Sequence, residues 1–247
     1  VRPAVGFSTT RPSQSCRCRR SRTQLPARTD LIYASRTGWN PSPNPLAALL
    51  ERLTASAAPV LDLTEANPTR CGFTYPSDEI LRALARPENL SYEPHPQGLR
   101  QAREAVSADY RARGAAVPPE RLVLTAGTSE AYSFLFRLLA DPGDAVLVPA
   151  PSYPLFELLG RINDVTLVHY PLAHADGFGI DLEALDRAAK AASPRALLIV
   201  SPGNPTGTFL KRREMEALDE ICARGGIPII CDEVFGDYAL REDPDRV

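Results

Sequence analysis

After residue 121 the chain alternates short apolar runs with segments of helical periodicity, and this alternation limits the possible folds more than any other feature. The runs are four to six residues long and lack the polar alternation of a half-solvated sheet, so each is typical of a strand buried on both faces. We predict an α/β fold, a three-layer mostly parallel sheet with helices on both faces. Strands are expected at 122–125, 145–148, 165–170, 196–200 and 228–231, and helices at 129–140, 153–161, 182–192 and 211–224.

The first 121 residues are less regular because Gly and Pro interrupt them. Ser77 is the expected cap of one helix, and Gly114 is a suitable end for another. The pattern predicts helices at 45–57, 77–84 and 97–113 and an extended run at 59–63.

The N-terminal segment is cationic, since residues 1–29 contain seven arginines and no acid, whereas the whole chain has a formal net charge of −2. Three interpretations are open: an organelle transit peptide, a nucleic-acid-binding arm, or translated sequence upstream of the true start. The last is favoured because prolines break any amphipathic helix, so we expect no nucleic-acid partner. The predicted domains are a disordered tail at 1–30, an N-terminal arm or small-domain segment at 31–75, and a large domain at 76–247.

Cysteine, histidine and hydropathy patterns exclude several classes of protein. The five cysteines form no C-x-x-C pair and the three histidines are scattered, so we expect no metal site. Such thiols indicate a reducing compartment, and we expect a cytoplasmic protein. No run reaches about 18 consecutive apolar residues, which argues against a membrane span.

Residues that follow the predicted strands are the candidates for ligand binding, because ligands of doubly wound sheets lie beyond the carboxyl ends of the strands. The first strand leads through Gly127, Thr128 and Ser129 into a helix, where backbone N–H groups and the helix dipole favour a phosphate. An ordinary helix cap is the alternative. Tyr153 follows the second strand and can either stack on a flat ligand or pack at a helix start.

Two further strand ends carry polar side chains. The segment 201–207 (SPGNPTG) builds a rigid turn around Asn204, whose amide can donate and accept, although a plain Asn-Pro turn is the alternative. Asp232 ends the last strand and needs a partner, because an unpaired buried carboxylate is costly. A magnesium nucleotide is excluded, since neither Lys190 nor Lys211, the two lysines of the chain, lies in a G-x-x-x-x-G-K-[ST] loop.

A cationic ring nitrogen is the other possible partner for Asp232. A phosphate cradle, an aromatic ring, an amide and a carboxylate at the strand ends of one sheet match the phosphate, ring face, phenolic oxygen and pyridine nitrogen of pyridoxal 5′-phosphate. A carboxylate that keeps this nitrogen protonated lets the ring accept electrons. The residues therefore predict a pyridoxal-phosphate-dependent protein.

Five short segments carry a resemblance to a known family: 63–69 (LTEANPT), 92–98 (YEPHPQG), 126–129 (AGTS), 201–207 (SPGNPTG) and 232–235 (DEVF). In this order they resemble the class I and II aminotransferases of fold type I. The resemblance implies that Gly127, Thr128 and Ser129 hold the cofactor phosphate and that Tyr153 stacks on its ring. Asn204 would bind the phenolic oxygen and orient the substrate carboxylate, and Asp232 would pair with the ring nitrogen.

The resemblance also places three other residues at the site. Phe235 stands where much of the family has a tyrosine that donates a hydrogen bond to the phenolic oxygen of the cofactor. Phe235 can still contact the cofactor ring, but it cannot make this hydrogen bond. Tyr238 is a possible substitute for the missing hydroxyl. Tyr92 would reach the phosphate of the neighbouring subunit, which implies a homodimer. Asn67 would border the substrates, an amino acid and a 2-oxo acid.

The lysine that binds the cofactor as a Schiff base in this family has no counterpart here. Lys190 lies in a polar helical segment and Lys211 at a helix start, and both are expected to face solvent. We therefore predict no catalytic residue within the chain, which is interpreted as an aminotransferase fragment with only the N-terminal part of the small domain. Alternatives are a lyase or synthase of the same fold and a non-enzymatic module that binds pyridoxal phosphate or an amino acid.

Overall fold

The computed structural model describes residues 34–38, 42–56, 59–61 and 67–247. The tail predicted at 1–30 lies outside these residues, as does part of the extended run predicted at 59–63. The chain divides into two units, Val1–Gly38 and Trp39–Val247. In the first unit the described residues form a single 3₁₀ turn, Ser35–Thr37. The second unit contains the sheet.

A five-stranded sheet forms the centre of the second unit, with the strand order β3-β2-β1-β4-β5. Strand β1 pairs in parallel with β2 and β4, β4 pairs in parallel with β5, and the short β3 is antiparallel to β2. The strands are β1 Ala145–Ala150, β2 Thr166–Ala173, β3 Gly179–Ile180, β4 Ala196–Val200 and β5 Ile229–Asp232. The prediction of a mostly parallel sheet is therefore confirmed.

Seven helices lie among the described residues of the second unit. Helix α6 has the predicted bounds, because Asp181 caps it locally by accepting a hydrogen bond from the backbone N–H of Ala184 at 2.9 Å. The helices are α1 Pro45–Ala55, α2 Ser77–Leu84, α3 Arg100–Ala112, α4 Thr128–Leu139, α5 Leu155–Ile162, α6 Leu182–Ala192 and α7 Arg212–Gly225. None of the described helices has the length and apolar character that crossing a bilayer requires.

Helices cover both faces of the sheet, and the strands supply one core to each side because successive side chains of a strand point in opposite directions. On one face, Leu147 and Leu197 pack with residues of α6 and α7, including Leu185 and Leu218. The core of the other face joins strand residues to α4 and α5 and contains Val146, Val148, Leu198, Phe136 and Phe156. The three-layer prediction is thus confirmed.

The strand predicted at 122–125 is wrong. Leu124 donates its backbone N–H to the carbonyl of Gln97 at 2.9 Å, but the segment forms no ladder with any described strand. An apolar run becomes a strand only where a neighbour accepts its hydrogen bonds. Several helix boundaries also differ from the prediction, most of all that of α3, which begins at Arg100 and not at 97 because 95–98 is a turn. Pro76, and not Ser77, is the residue that precedes α2.

Gly98 makes this turn possible, and Gly98→Ala should lower the free energy of unfolding by about 2–3 kcal/mol. Its φ of +86° disfavours any side chain, and a Cβ would lie 2.7 Å from the Cβ of Leu124. Urea denaturation followed by circular dichroism measures the loss. Gly114→Ala is the matched control, since Gly114 has φ +89° but open space around it. It should cost about 1 kcal/mol, and equal losses would show that the contact with Leu124 has no effect.

Candidate functional site

The carboxyl ends of β1, β4 and β5 lie at the same edge of the sheet because these strands are parallel. From β1 the chain moves outward to β2 and then returns to the other side of β1 as β4. This reversal creates a topological switch point between β1 and β4, the usual ligand position in such sheets. Tyr153, Asn204 and Asp232 follow these three strands.

Asp232 is half-buried, and each of its carboxylate oxygens accepts one hydrogen bond. Oδ1 accepts from the backbone N–H of Val234 at 2.9 Å, and Oδ2 accepts from the hydroxyl of Tyr132. A carboxylate can accept about four hydrogen bonds, so lone pairs remain for a further donor. The two bonds fix the orientation of the carboxylate at the end of β5.

The first turn of α4 presents Gly127, Thr128 and Ser129 to solvent. Gly127 is extended, with φ 173° and ψ 173°, and a Cβ there would meet open space. Glu130 accepts from the backbone N–H of Ala126 at 2.7 Å, whereas the N–H groups of Thr128 and Ser129 have no acceptor among the described residues. These two amides lie at the positive end of the helix dipole and can bind an anion.

A cavity of about 310 Å³ joins the start of α4 to Asp232. Thr128 and Asp232 both line it, and the other lining residues include Tyr132, Tyr110 and Val234. Its volume is at the lower end of the range for small-molecule sites. An anion-binding helix start and an oriented carboxylate in one cavity fit a ligand that has a phosphate at one end and a cationic nitrogen at the other.

Asn204 and Phe235 line a second cavity, of about 720 Å³, and not the one that contains Asp232. The turn around Asn204 is closed by backbone hydrogen bonds from Gly207 to Gly203 at 2.7 Å and from Gly203 to Thr208 at 2.9 Å. Phe235 packs edge-on against Tyr238, with ring centroids 6.1 Å apart. Tyr238, the possible substitute for the missing tyrosine, lines the same cavity as Asn204.

Gly127 and Ser129 line neither cavity, and the same holds for the last three predicted site residues, Tyr153, Tyr92 and Asn67. The ring of Tyr153 packs edge-on against Phe156 at a centroid distance of 5.8 Å. Tyr92 is 90% exposed. Asn67 caps a 3₁₀ turn, Pro68–Arg70, by accepting a hydrogen bond from the backbone N–H of Thr69 at 3.0 Å. The functional roles of these three residues stay predictions.

The two lysines differ in their surroundings. The side chain of Lys190 is 69% exposed and pairs with Asp186, as expected for a solvent-facing residue. Lys211 is only 30% exposed, pairs with Asp243 and lines the cavity that contains Asn204, so the solvent-facing prediction is wrong for this residue. Neither lysine lines the Asp232 cavity.

Tyr132 is the residue at this site that the sequence analysis missed, because its position in α4 has the spacing of an ordinary core residue. It is only 4% exposed. Burial and the hydrogen bond to Asp232 raise the pKa of its hydroxyl, which therefore remains a donor at neutral pH.

The thiol of Cys231 lines the same cavity but is not a thiolate nucleophile. Burial and the nearby Glu233 raise the pKa of this thiol to about 12, although part of the residue is exposed. No group of side chains suited to a metal ion occurs in the described part of the chain.

The sequence matches the family model described as aminotransferase class I and II over residues 58–246. Alanine aminotransferase 2, mitochondrial, of Arabidopsis thaliana is 32% identical over 156 residues, which are 60% of this chain and 29% of that protein. 1-Aminocyclopropane-1-carboxylate synthase 1 of Oryza sativa subsp. indica is 39% identical over 132 residues, which are 51% of this chain and 27% of that protein.

Solved structures show the same similarity in three dimensions. A double mutant of aspartate aminotransferase from Thermus thermophilus superposes with a TM-score of 0.71 at 28% sequence identity. The alignment covers 82% of this chain and 53% of that protein. The chain therefore spans between 27% and 53% of the length of these three proteins.

Proposed function

Because this chain belongs to the class I and II aminotransferase family, we propose that it binds pyridoxal 5′-phosphate in a protein that transfers an amino group between an amino acid and a 2-oxo acid. One observation carries the proposal: Thr128, the first residue of α4, and Asp232 line the same cavity beyond the strand ends. When bound, the cofactor supplies an electron-accepting ring.

Each proposed contact follows from the chemistry of the residue. The amides and hydroxyls of Gly127–Ser129 bind the phosphate at the helix N-terminus. Asp232 holds a proton on the ring nitrogen by charge pairing. Tyr153 stacks on the ring, Phe235 contacts it, and Asn204 binds the phenolic oxygen and orients the substrate carboxylate. These assignments require that the cavity lined by Asn204 and the cavity lined by Asp232 hold parts of the same ligand.

A homodimer and a substrate-bordering segment are also part of the proposal. Exposure of 90% at Tyr92 leaves this side chain available to a second copy. Exposed leucines on α1, such as Leu46 and Leu50, support an arm that packs against another surface. Asn67 would border the substrate. It lies in the segment 31–75, which we propose is an N-terminal arm or part of the small domain.

Pyridoxal-phosphate binding to the purified 247-residue chain tests the proposal. We expect saturable, noncovalent binding, and inorganic phosphate should compete with it. Pyridoxal should bind about tenfold more weakly, because it lacks the phosphate that the start of α4 binds. Borohydride reduction followed by mass spectrometry should find no adduct at Lys190 or Lys211. Equal affinity for pyridoxal, or a stoichiometric adduct at Lys211, would contradict these assignments.

A lyase or synthase reaction on the same scaffold is the second candidate, and the 39% identity to the rice synthase supports it. The two candidates differ in the ligands that the loaded protein recognises. An aminotransferase should show competition between 2-oxo acids and amino acids for the pyridoxal-phosphate-loaded chain. A synthase should bind an amino acid with no such competition.

A further inference from the structure

Tyr132 contacts the carboxylate that the proposed function places against the cofactor. Its hydroxyl donates to Oδ2 of Asp232, while Oδ1 accepts from the backbone of Val234. Each oxygen therefore has one protein donor, and one of the two donors is a side chain that mutation can remove. None of the roles implied by the family resemblance uses this tyrosine.

Two aromatic contacts hold the Tyr132 ring in place. Its centroid lies 5.1 Å from that of Phe156 in an edge-to-face arrangement and 6.0 Å from that of Phe136. Phe156 in turn packs against Tyr153. A buried aromatic side chain with such neighbours has little rotational freedom, so the hydroxyl is held at one position.

Helix α4 joins Tyr132 to the predicted phosphate site. Thr128 and Tyr132 are four residues apart, which places them on the same face of the helix, and both line the Asp232 cavity. One helix thus presents amides to an anion at its first turn and a hydroxyl to Asp232 at its second turn. The distance between these groups is set by the helical rise.

We propose that Tyr132 is a positioning residue, which orients Asp232 and stabilises its ionised form opposite the ring nitrogen of pyridoxal phosphate. This inference rests on the proposed function. A hydrogen bond to the charged form of an acid favours that form. A proton shared between Asp232 and the ring nitrogen therefore shifts towards the nitrogen. Other ionisable groups that line the cavity are Tyr110, Cys231 and Glu233.

Tyr132→Phe removes the hydroxyl and keeps the ring. We expect the dissociation constant of pyridoxal phosphate to rise about tenfold, because the carboxylate of Asp232 is no longer held in one orientation before the cofactor binds. With cofactor labelled by ¹⁵N in the ring, the ¹⁵N shift of the state in which Asp232 and the nitrogen share one proton should move towards the value of a neutral pyridine, because less of the proton lies on the nitrogen. The ¹⁵N chemical shift, followed by NMR across a pH titration, measures this change without any need for turnover.

Tyr170→Phe is the matched control. Its hydroxyl is also buried and bonded, to the carbonyl of Leu198 at 2.9 Å, but it lies outside the Asp232 cavity. This variant should lose a comparable amount of stability and leave the ¹⁵N titration unchanged. If Tyr132→Phe and Tyr170→Phe give the same titration as the unmodified chain, the positioning role is overturned.

Asp232→Asn separates this inference from the proposed function. If Asp232→Asn weakens binding but Tyr132→Phe does not, the cofactor site stands and the role of Tyr132 fails. If the unmodified chain shows no saturable binding, the proposed function itself fails. Should Tyr132→Phe not fold, 3-fluorotyrosine introduced in place of Tyr132 keeps the packing and strengthens the donor. It should move the ¹⁵N shift of the shared-proton state towards the value of a pyridinium ion, and a move in the other direction or no change would overturn the role.

Discussion

Asp232→Asn should weaken the binding of pyridoxal phosphate about 100-fold, the largest effect that we expect on ligand binding. Asparagine preserves the size of the side chain and can still accept from the N–H of Val234, but it carries no negative charge to pair with the ring nitrogen. Loss of a charge-assisted hydrogen bond in a half-buried site corresponds to about 2–3 kcal/mol. Fluorescence titration or calorimetry with each variant measures the dissociation constant.

Asp186→Asn is the control for the change in net charge. Asp186 lies on α6, pairs with Lys190 and Arg224, and does not line the Asp232 cavity. Its substitution should leave the affinity for pyridoxal phosphate within about twofold, since Asp186 lies outside the cavity and long-range charge effects are screened by salt. Equal losses for the two variants would show that general electrostatics, and not the Asp232 contact, governs binding.

Phe136→Ala should lower the free energy of unfolding by about 3–5 kcal/mol, a large part of the stability of a typical domain. Phe136 is completely buried and packs, in the core beneath α4 and α5, with Val146, Val148 and Leu198. Truncation leaves a cavity that the surrounding strands cannot fill. Urea denaturation measures the loss, and the midpoint should fall while the slope is preserved.

Phe134→Ala, on the same helix, is the matched control. Phe134 is 49% exposed, so its truncation should change the free energy of unfolding by less than about 1 kcal/mol. A similar loss for both variants would contradict the placement of Phe136, and not Phe134, in the core beneath α4 and α5. Because α4 also begins with Thr128 and Ser129, Phe136→Ala should weaken pyridoxal-phosphate binding more than Phe134→Ala does.

The elements that could be predicted are those specified by local patterns. Helix α6 was located residue by residue, because its apolar periodicity and its Asp181 cap are both contained in a short segment. Strand β4 was located equally well from a run of five apolar residues. The segment 122–125 has the same pattern but is not a strand, since it forms no ladder with any described strand.

The candidate site could be predicted only in part. The strand-end rule identified Thr128 and Asp232, and the structure places both at one cavity. It also separates Asn204 and Phe235 into another cavity, although sequence reasoning had assigned all four to one ligand. Tyr132 gave no signal, because a buried tyrosine in a helix has the same sequence pattern whether its hydroxyl meets a carbonyl or a carboxylate.

The class of fold and the polar groups that follow each strand can be predicted from the sequence, because strand burial, helix periodicity and turn chemistry are local properties of the chain. The return of β4 beside β1, the contact of Tyr132 with Asp232 and the half-buried position of Lys211 beside Asp243 depend on tertiary packing. Tyr132 and Asp232 are 100 residues apart in the sequence. Contacts of this kind depend on how helices and strands pack together, and no local pattern encodes them.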